Sequence, residues 1–594
     1  MKKNKKLVSL LAAAAMAVTP LSVSVPVSAQ QTASAGAVSL SDSKSISLAE
    51  RCSSRYGYEF LGTLENGKAL QTFYDKMYDI FLEVWESDKD YSNNYSPGGD
   101  IVEAGKVNYS ELGVSIDQIS DVHNILCHDN PLFYFISSRI VYNYNTMGCY
   151  IDKQYADAEY RAECKQKINA FLSAMTKGTD SLSSIYEKAL IVQDRIIGIA
   201  QYPDTITNDP GLYNIMGIIE NGLGVCESYS ECFSLVMNYL GVDTVLVIGN
   251  GSGEPHQWNV IKLDDGKYYH VDVTWNDTGR VSHEFFARGS DRFDKDHTTA
   301  DSKGTTGVYF YDPPEIPQAD FDYTKYVSKE LVQLLEDYDF SFNDDDTATI
   351  TKCNIDEKTI TVPGTILGMP VTVIDEYAFL NKTVCESITL PDTVREIKSG
   401  AFAFCYNLKD VNMPSSLETI GSDAFMYCTD MNVEKLPSKL TSIGSGAFYM
   451  MNLNNTTTIT IPQSVKTIGD HSFGYESAAY GQINYKFDGD YSELLPQKVN
   501  GYTIRCVKDS AAYKYAVKNG INYDLINGAL PGDADSSGKI NINDVLLIQQ
   551  KIAGWNVDID EYASDVNADG MVNINDVLLI QQKIAGWNVE LRLA

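Results

Sequence analysis

The chain has 594 residues, of which 44% are hydrophobic, and its formal net charge is −32 at pH 7 from 79 acidic and 47 basic side chains. A chain of this length is too long for one hydrophobic core, and we expect about three or four domains. A large negative charge also disfavours nucleic acid and anionic membranes as partners.

The N-terminus has the pattern of a secretory signal peptide. Four lysines within the first six residues precede an apolar run at residues 7–18, and a small-residue cleavage site ends at Ala29. We predict a signal peptide at residues 1–29 and a disordered leader at residues 30–50, which are rich in Ser, Ala and Thr. No later stretch has the 18 uninterrupted apolar residues of a membrane span, so we predict an extracellular protein without membrane insertion.

Residues 51–178 have a helical, tyrosine-rich pattern. Within residues 70–85, the side chains that recur at spacings of four, four and three are Phe73, Met77, Phe81 and Val84. This spacing places them on one apolar face of a helix. We therefore predict a helical N-terminal subdomain.

Eleven cysteines are spread thinly along the chain, unlike the dense cysteines of a disulfide scaffold. The candidates for disulfide bonds are Cys52, Cys127, Cys149 and Cys164, and their pairing stays open. Cys232 lies six residues after Cys226 on the same predicted helix. It is therefore expected to pack inward.

One cysteine stands at the start of a predicted amphipathic helix near the middle of the chain. A turn flanked by glycines ends at Cys226 and opens into residues 228–240, where apolar side chains recur at helical spacing. At this place the free N–H groups and the positive end of the helix dipole favour the thiolate form.

Strand-like runs follow this helix at residues 244–249, 258–263 and 268–273. His256 stands just before the second run, and Asp272 lies in the third. A cysteine on a helix tip, followed by a histidine and an aspartate on neighbouring strands, is the arrangement used in nucleophilic acyl transfer.

The motifs HQWN at His256 and DVTW at Asp272, together with the turn GVCESY, resemble those of the transglutaminase-like core domain, an α+β papain-type fold. We place this domain at residues 179–312. The resemblance implies that Cys226 is the nucleophile, that His256 is the general base and that Asp272 orients the imidazole. The implied walls of the substrate site are Trp258 and Trp275. No cofactor is implied for catalysis.

Two features of this domain stay open. The side chain that would help to hold the oxyanion is one of Gln193, Gln201 and Tyr202. His283 and His297 lie in a polar tail of the domain, where no metal-binding motif supports a role as ligands.

An internal repeat follows a proline-containing segment at residues 313–342, which we predict to be a linker. The repeated isoleucines are Ile374, Ile397, Ile420, Ile443 and Ile468, separated by 23, 23, 23 and 25 residues, and five phenylalanines from Phe379 to Phe473 keep the same rhythm. This period predicts a solenoid in which each residue stacks on its copies. The repeats, placed at residues 343–526, resemble BspA-like leucine-rich repeats. A spacer and a binding surface for a protein or glycan both stay open as their role.

Two acidic segments near the C-terminus have the ligand pattern of an EF-hand loop. Oxygen donors stand at loop positions 1, 3, 5, 9 and 12, and glycine stands at position 6. With a backbone carbonyl at position 7, the predicted ligands of two Ca²⁺ ions are Asp533, Asp535, Ser537, Lys539, Asn541 and Asp544 in the first loop and Asp565, Asn567, Asp569, Met571, Asn573 and Asp576 in the second.

Both loops run into the same 17 residues, NINDVLLIQQKIAGWNV. Two calcium loops, each followed by one helix, resemble a type I dockerin, a small all-α module that we place at residues 530–594. The resemblance implies a cohesin module of a scaffoldin as the partner. It also implies that loop positions 10 and 11 help to form the cohesin-binding face, namely Ile542, Asn543, Ile574 and Asn575.

Together these patterns describe a secreted multidomain protein of a cellulosome, a polysaccharide degradation complex. The main hypothesis is a cysteine acyl-transfer enzyme, protease-like or transglutaminase-like, in which Cys226 forms a thioester with a protein or peptide substrate. The alternative is a catalytically inert display protein that binds its ligand through the transglutaminase-like fold and the repeats. A glycoside hydrolase is disfavoured because no paired-carboxylate constellation stands out.

Overall fold

The computed structural model describes residues 46–592, except residues 95–98, 280, 300–311, 344, 452–457, 478–495, 527–529, 536–538, 556 and 558. The predicted signal peptide, most of the predicted leader and the predicted calcium ligand Ser537 lie outside the described residues. The chain divides into two units, one ending at Tyr326 and one beginning at Val327. No helix among the described residues combines the length and apolar character that crossing a bilayer requires.

The first unit combines α-helices with antiparallel sheets. Its helices are α1 Leu48–Arg51, α2 Tyr56–Thr63, α3 Gly67–Glu86, α4 Ile116–Asp129, α5 Ala158–Thr176, α6 Ile185–Ile199, α7 Ile215–Asn221, α8 Cys226–Tyr239, α9 Val273–Asn276 and α10 Ser290–Phe293. Its strands are β1 Ile101–Asn108, β2 Val141–Tyr142, β3 Thr146–Asp152, β4 Thr244–Gly251, β5 Glu254–Lys262, β6 Tyr268–Val271, β7 Phe286–Arg288 and β8 His297–Thr299. The strand orders are β1-β3-β2 and β7-β6-β5-β4-β8.

The N-terminal segment is not entirely helical as predicted. Helix α3 buries the expected apolar face, but a three-stranded antiparallel sheet lies between α3 and α5 in the chain. Its central strand β3 lacks the alternation that marks a strand in a sequence, because five of its seven residues are buried. The segment is therefore a mixed helix and sheet region.

The disulfide candidates do not pair, since all eleven cysteines of the chain, which all lie in the described part, are free thiols. Cys52, Cys149 and Cys164 are fully buried and serve as small apolar side chains. Cys127 is half-buried beside His123, with 4.0 Å between its Sγ and the histidine Nδ1.

The second unit contains the repeats and the C-terminal module. Its helices are α11 Lys329–Asp337, α12 Ala511–Asn519, α13 Ile542–Ile552, α14 Glu561–Ser564 and α15 Ile574–Ile584. Its strands are β9 Tyr338–Phe342, β10 Ala348–Cys353, β11 Thr359–Thr361, β12 Thr365–Ile366, β13 Met369–Ile374, β14 Ser387–Thr389, β15 Glu396–Ile397, β16 Asp410–Val411, β17 Thr419–Ile420, β18 Ser442–Ile443, β19 Thr458–Thr460, β20 Thr467–Ile468, β21 Tyr475–Ser477, β22 Pro496–Lys498, β23 Thr503–Val507 and β24 Asn522–Ile526.

The predicted ladder of the solenoid is confirmed. The repeated isoleucines pair in register along the parallel strands β13, β15, β17, β18 and β20. The repeated phenylalanine rings stack with centroid distances between 4.9 and 5.2 Å. The sheet begins earlier than expected, at Tyr338, because α11 and β9 lie inside residues 313–342, which were predicted as a linker.

The C-terminal module packs helix α13 against helix α15. Its core consists of Ala534, Val545, Ile548, Val566, Val577 and Ile580. The two helices have identical sequences, so each contributes the same apolar positions to this core.

We predict that Gly444→Ala destabilises the solenoid. A Cβ at Gly444 would lie 2.3 Å from the backbone N of Ser422 in the preceding repeat, so the two coils would have to separate. Overpacking of this kind costs about 1–3 kcal/mol in the free energy of unfolding, which denaturant unfolding of the chain measures. Gly364→Ala is the matched control, because its nearest neighbour would be 3.8 Å away. Equal effects of the two substitutions would contradict the close-approach argument.

Candidate active site

Helix α8 begins at Cys226, and the turn before it is tied to the segment at residues 210–213. The backbone N–H of Val225 donates to the carbonyl of Leu212 at 3.1 Å, and the hydroxyl of Ser228 donates to the same oxygen at 2.8 Å. The cysteine is half-buried at the N-terminus of a 14-residue helix. Its thiol therefore has both solvent access and a fixed position.

Buried hydrogen bonds join helix α8 to strand β5. The Gln257 amide donates to the hydroxyl of Ser230 at 2.9 Å. The Asn259 amide donates to the carbonyl of Ser230 at 3.0 Å and to the hydroxyl of Ser234 at 2.9 Å. These contacts hold the strand that carries the histidine against the helix that carries the cysteine.

The structure brings Cys226, His256 and Asp272 together. His256 lies inside strand β5 and not before it, and its Nε2 is 2.7 Å from Oδ2 of Asp272. Burial lowers the pKa of His256, but hydrogen bonds to Asp272 and Cys226 outweigh burial and raise this pKa to about 9. The second ring nitrogen, Nδ1, is left for the thiol.

Asp272 is a fully buried carboxylate that accepts hydrogen bonds from several donors. It caps the short helix α9, where its Oδ1 accepts the backbone N–H of Trp275 at 3.0 Å. Burial would raise its pKa, but the hydrogen bonds from His256 and His297 outweigh burial and lower it. The group is therefore held as a carboxylate that can support a charged imidazole.

The two tryptophans predicted as walls of the substrate site differ in position. Trp258 is 1% exposed, and its indole N–H donates to Nδ1 of His270 at 3.0 Å. It therefore supports the His256 ring from the interior and has no surface to offer a substrate, which corrects the prediction. Trp275 is half-buried, with its ring centroid 5.6 Å from that of His256.

Sequence reasoning missed His297. It was expected in a polar tail, but it is buried, and its Nε2 lies 3.0 Å from Oδ2 of Asp272. The donor atoms of His256, Asp272 and His297 all lie within 4.8 Å of one another, and the two hydrogen bonds on Oδ2 account for this spacing. His283 makes a separate pair with Asp194 at 2.8 Å. The sequence holds only indirect information about the position of His297. Its strand β8 pairs with the end of strand β4, where glycines allow close packing.

Among the three candidates for the oxyanion donor, Gln193 is hydrogen-bonded to another side chain in the interior. It is fully buried, and its Oε1 accepts the amide of Asn276 at 2.7 Å. Gln201 and Tyr202 lie beside the turn that leads to the cysteine, since the backbone N–H of Gly224 donates to the carbonyl of Gln201 at 3.3 Å. Burial, followed by the charge of the neighbouring cysteine, raises the pKa of Tyr202.

In each of the two predicted calcium loops, three carboxylates lie close together. The ligand oxygens of Asp533, Asp535 and Asp544 lie within 4.8 Å of one another, as do those of Asp565, Asp569 and Asp576. Burial and then the charges of Asp535 and Asp533 raise the pKa of Asp544. Hard oxygen donors that repel one another fit Ca²⁺, which would neutralise them.

The remaining predicted ligands in the described part of the loops lie within the same hydrogen-bonded turns. Asn541 and Asn573 cap helices α13 and α15, while their amides donate to the carbonyls of Lys539 and Met571 at 3.3 and 3.1 Å. Asn567 donates to Asp569 at 2.9 Å. The two loops are therefore folded alike around their position-12 aspartates.

The predicted cohesin-binding residues are on the surface. Ile542 is 63% exposed and Ile574 is 61% exposed, and Asn543 and Asn575 beside them are also exposed. The two helices therefore present equivalent apolar faces.

Comparison with protein-family models identifies three regions. Residues 169–273 match the transglutaminase-like superfamily, residues 351–479 match the BspA type leucine-rich repeat region in 6 copies, and residues 531–585 match the dockerin type I domain. The chain thus has a transglutaminase-like domain, a BspA-type repeat solenoid and a type I dockerin. A dockerin of this type generally binds calcium and pairs with a cohesin.

Solved structures match parts of the chain. A leucine-rich cell surface protein from Faecalibacterium prausnitzii is 36% identical over 23% of this chain and 38% of its own, with a TM-score of 0.21. A leucine-rich repeat protein from Bacteroides ovatus is 30% identical over 23% and 37%, also with a TM-score of 0.21. A TGase is 17% identical over 23% and 43%, with a TM-score of 0.16. The chain thus spans less than half of each. Curated proteins provided no match.

We predict that calcium removal unfolds the C-terminal module, because its clustered carboxylates repel one another without the ion. Addition of EDTA to the full chain should increase amide hydrogen exchange in helices α13 and α15. Helix α8 has no predicted ligand and is the internal control. Unchanged protection of α13 and α15 after chelation would contradict a structural role for calcium.

Proposed function

We propose that this protein is a secreted cysteine acyl-transfer enzyme attached to a cellulosome through its dockerin. The observation that carries the proposal is the position of His256. Its imidazole is hydrogen-bonded to the buried Asp272, its pKa is raised by Asp272 and by the Cys226 thiol, and the cysteine stands at a helix N-terminus. A thiol, an imidazole and an orienting carboxylate in this order form a nucleophile that is activated by a base.

The residues support a two-step reaction. The Cys226 thiolate attacks the carbonyl carbon of a peptide or glutaminyl group, and the imidazolium of His256 gives its proton to the departing amine or ammonia. Water or a second amine then attacks the thioester carbonyl and loses a proton to His256, the C–S bond breaks, and the acid or amide product leaves the Cys226 thiolate and the His256 imidazolium restored. Asp272 keeps the ring oriented in both steps. Backbone N–H groups at the start of α8, together with Tyr202, are the proposed oxyanion donors.

Hydrolysis is the proposed outcome of the second step. Crosslinking would need a binding site for the amine of a second substrate. Beside the half-buried thiol, Glu227 is a carboxyl group whose pKa burial raises to about 7, so it is partly neutral at pH 7 and a weak partner for a cationic amine. Water needs no such site.

The other domains would deliver the enzyme to its substrate. A type I dockerin supports attachment to a cohesin module of a scaffoldin, and the exposed faces that begin at Ile542 and Ile574 are the proposed contact surfaces. The repeats support binding of a protein ligand or a glycan. Extracellular location follows from these two regions as part of the same proposal.

Labelling of Cys226 by iodoacetamide tests the activated thiol. Because His256 is protonated below about pH 9, its imidazolium can stabilise a thiolate at acidic and neutral pH. We expect rapid labelling at about pH 6, where an ordinary thiol with a pKa near ~8.5 reacts slowly. His256→Ala should slow labelling at this pH by about tenfold or more, as measured by mass spectrometry of the tryptic peptides.

Cys127 is the internal control for this experiment. It is the other half-buried thiol of the chain, and burial raises its pKa. Its labelling should be slow in both proteins. A Cys226 that titrates like an ordinary thiol with and without His256 would contradict the proposal and favour an inert core.

The products of the reaction distinguish hydrolysis from crosslinking. With a protein substrate and a labelled primary amine, we expect new N-termini or released ammonia to form faster than the amine is incorporated. Cys226→Ala is the control and should abolish both reactions. Faster incorporation of the amine would assign a transglutaminase reaction to the same residues.

A further inference from the structure

Asp272 is shared by two histidines. Oδ2 of its carboxylate lies 2.7 Å from Nε2 of His256 and 3.0 Å from Nε2 of His297, while Oδ1 accepts the backbone N–H of Trp275. All three side chains of this His–Asp–His group are buried. The carboxylate therefore has one more imidazole partner than a Cys–His–Asp arrangement needs.

Aromatic packing holds the His297 ring in place. Its ring stacks on Phe293 with 4.0 Å between centroids and lies 4.2 Å from Trp275. Gly251 of strand β4 pairs with His297, and a Cβ at Gly251 would be 2.8 Å from the Trp275 ring, so the Trp275 ring is also packed closely here. The His297 ring has little freedom to turn away from the carboxylate.

The hydrogen-bond partners of His297 identify which nitrogen carries its proton. Its Nδ1 is buried and has no hydrogen-bond partner in the described part of the chain. A proton on Nε2 satisfies Asp272 and leaves an unprotonated nitrogen at the unpaired position. The opposite tautomer would leave a buried N–H at Nδ1 without an acceptor. It would also place the unprotonated Nε2 against Oδ2 of Asp272, and both of these atoms are acceptors. His297 is therefore an N–H donor to Asp272.

We propose that His297 is a positioning residue of the thiol-activating site, whose Nε2–H holds the Asp272 carboxylate in the orientation in which Oδ2 meets His256. The inference rests on the proposed function. Because Oδ2 is fixed from one side by His297, its other lone pair points at the His256 ring. Without this donor, Oδ2 keeps only His256 as an imidazole partner, so the carboxylate is held less firmly and the imidazolium loses part of its support.

Two substitutions separate a donor from a merely structural side chain. In His297→Gln, the side-chain amide can place an N–H near the position of Nε2, whereas His297→Leu fills a similar volume without any donor. At about pH 6, we expect the leucine variant to label Cys226 with iodoacetamide about tenfold more slowly than wild type. The glutamine variant should recover most of the rate. The downfield N–H proton resonance of His256 should weaken only in the leucine variant.

His283→Leu is the matched control, because it removes a histidine that pairs with a different carboxylate, Asp194. It should leave the pH profile of Cys226 labelling unchanged. His270 and Asp294 also interact electrostatically with His297, and neither is altered in these variants. Burial lowers the pKa of His270 to about 3, so its charge does not change in the tested range.

Labelling of His297→Leu at the wild-type rate, with an unchanged pH profile, would overturn the proposal. If the leucine variant does not fold, His297→Asn replaces it, because its shorter amide cannot reach Asp272 and the same loss is expected. A folded asparagine variant with the wild-type rate would equally overturn the proposal. Failure of the proposed function looks different: wild-type labelling would then not depend on His256 at all.

Discussion

The hydrogen bond between His256 and Asp272 forms where water has almost no access, and much of the local structure follows from this constraint. A buried carboxylate without partners is costly, whereas one with several N–H donors can remain charged. Asp272 has an imidazole on each side of one oxygen and a backbone N–H on the other oxygen. Helix α9 supplies the backbone N–H donor, and the edge strand β8 carries one of the imidazole donors. The aromatic rings around them enclose these donors.

The same constraint explains how the thiol and the imidazole are brought together. They belong to helix α8 and strand β5, which are separated in the chain by strand β4, and a small shift between the two elements would move the thiol away from the imidazole. Gln257 and Asn259 prevent such a shift by hydrogen-bonding to Ser230 and Ser234 on helix α8. These bonds are buried and join two regular elements, which is the kind of support that holds a reactive geometry within a fraction of an ångström.

The other two regions are stabilised by repetition and, we expect, by an ion. In the solenoid each coil buries its isoleucine and phenylalanine against the next copy, so the stability of one repeat depends on its neighbours. In the dockerin, six buried apolar side chains form the described core, and the carboxylates lie close together within each loop. Calcium would turn this repulsion into a stabilising interaction.

The sequence alone determined the structural features that depend on a short spacing between residues or on a regular repeat period. The ladder of the repeats, the two loops and their helices, and the placement of Cys226 on a helix tip could all be read from neighbouring residues, as could the order of His256 and Asp272. The predicted calcium ligands were read from the same local pattern. The triad assignment itself came from motifs of three or four residues each.

Only the tertiary structure decided the burial of Trp258, the sheet in the N-terminal segment and the contact of His297 with Asp272. Strand β3 is buried on both faces and so lacks alternation, and Trp258 follows an ordinary strand pattern that does not tell which face meets solvent. His297 is 25 residues from Asp272 and lies on a strand of three residues, too short to have a period. Its hydrogen bond exists only once β8 has paired with β4, because sheet pairing joins residues that no local pattern links.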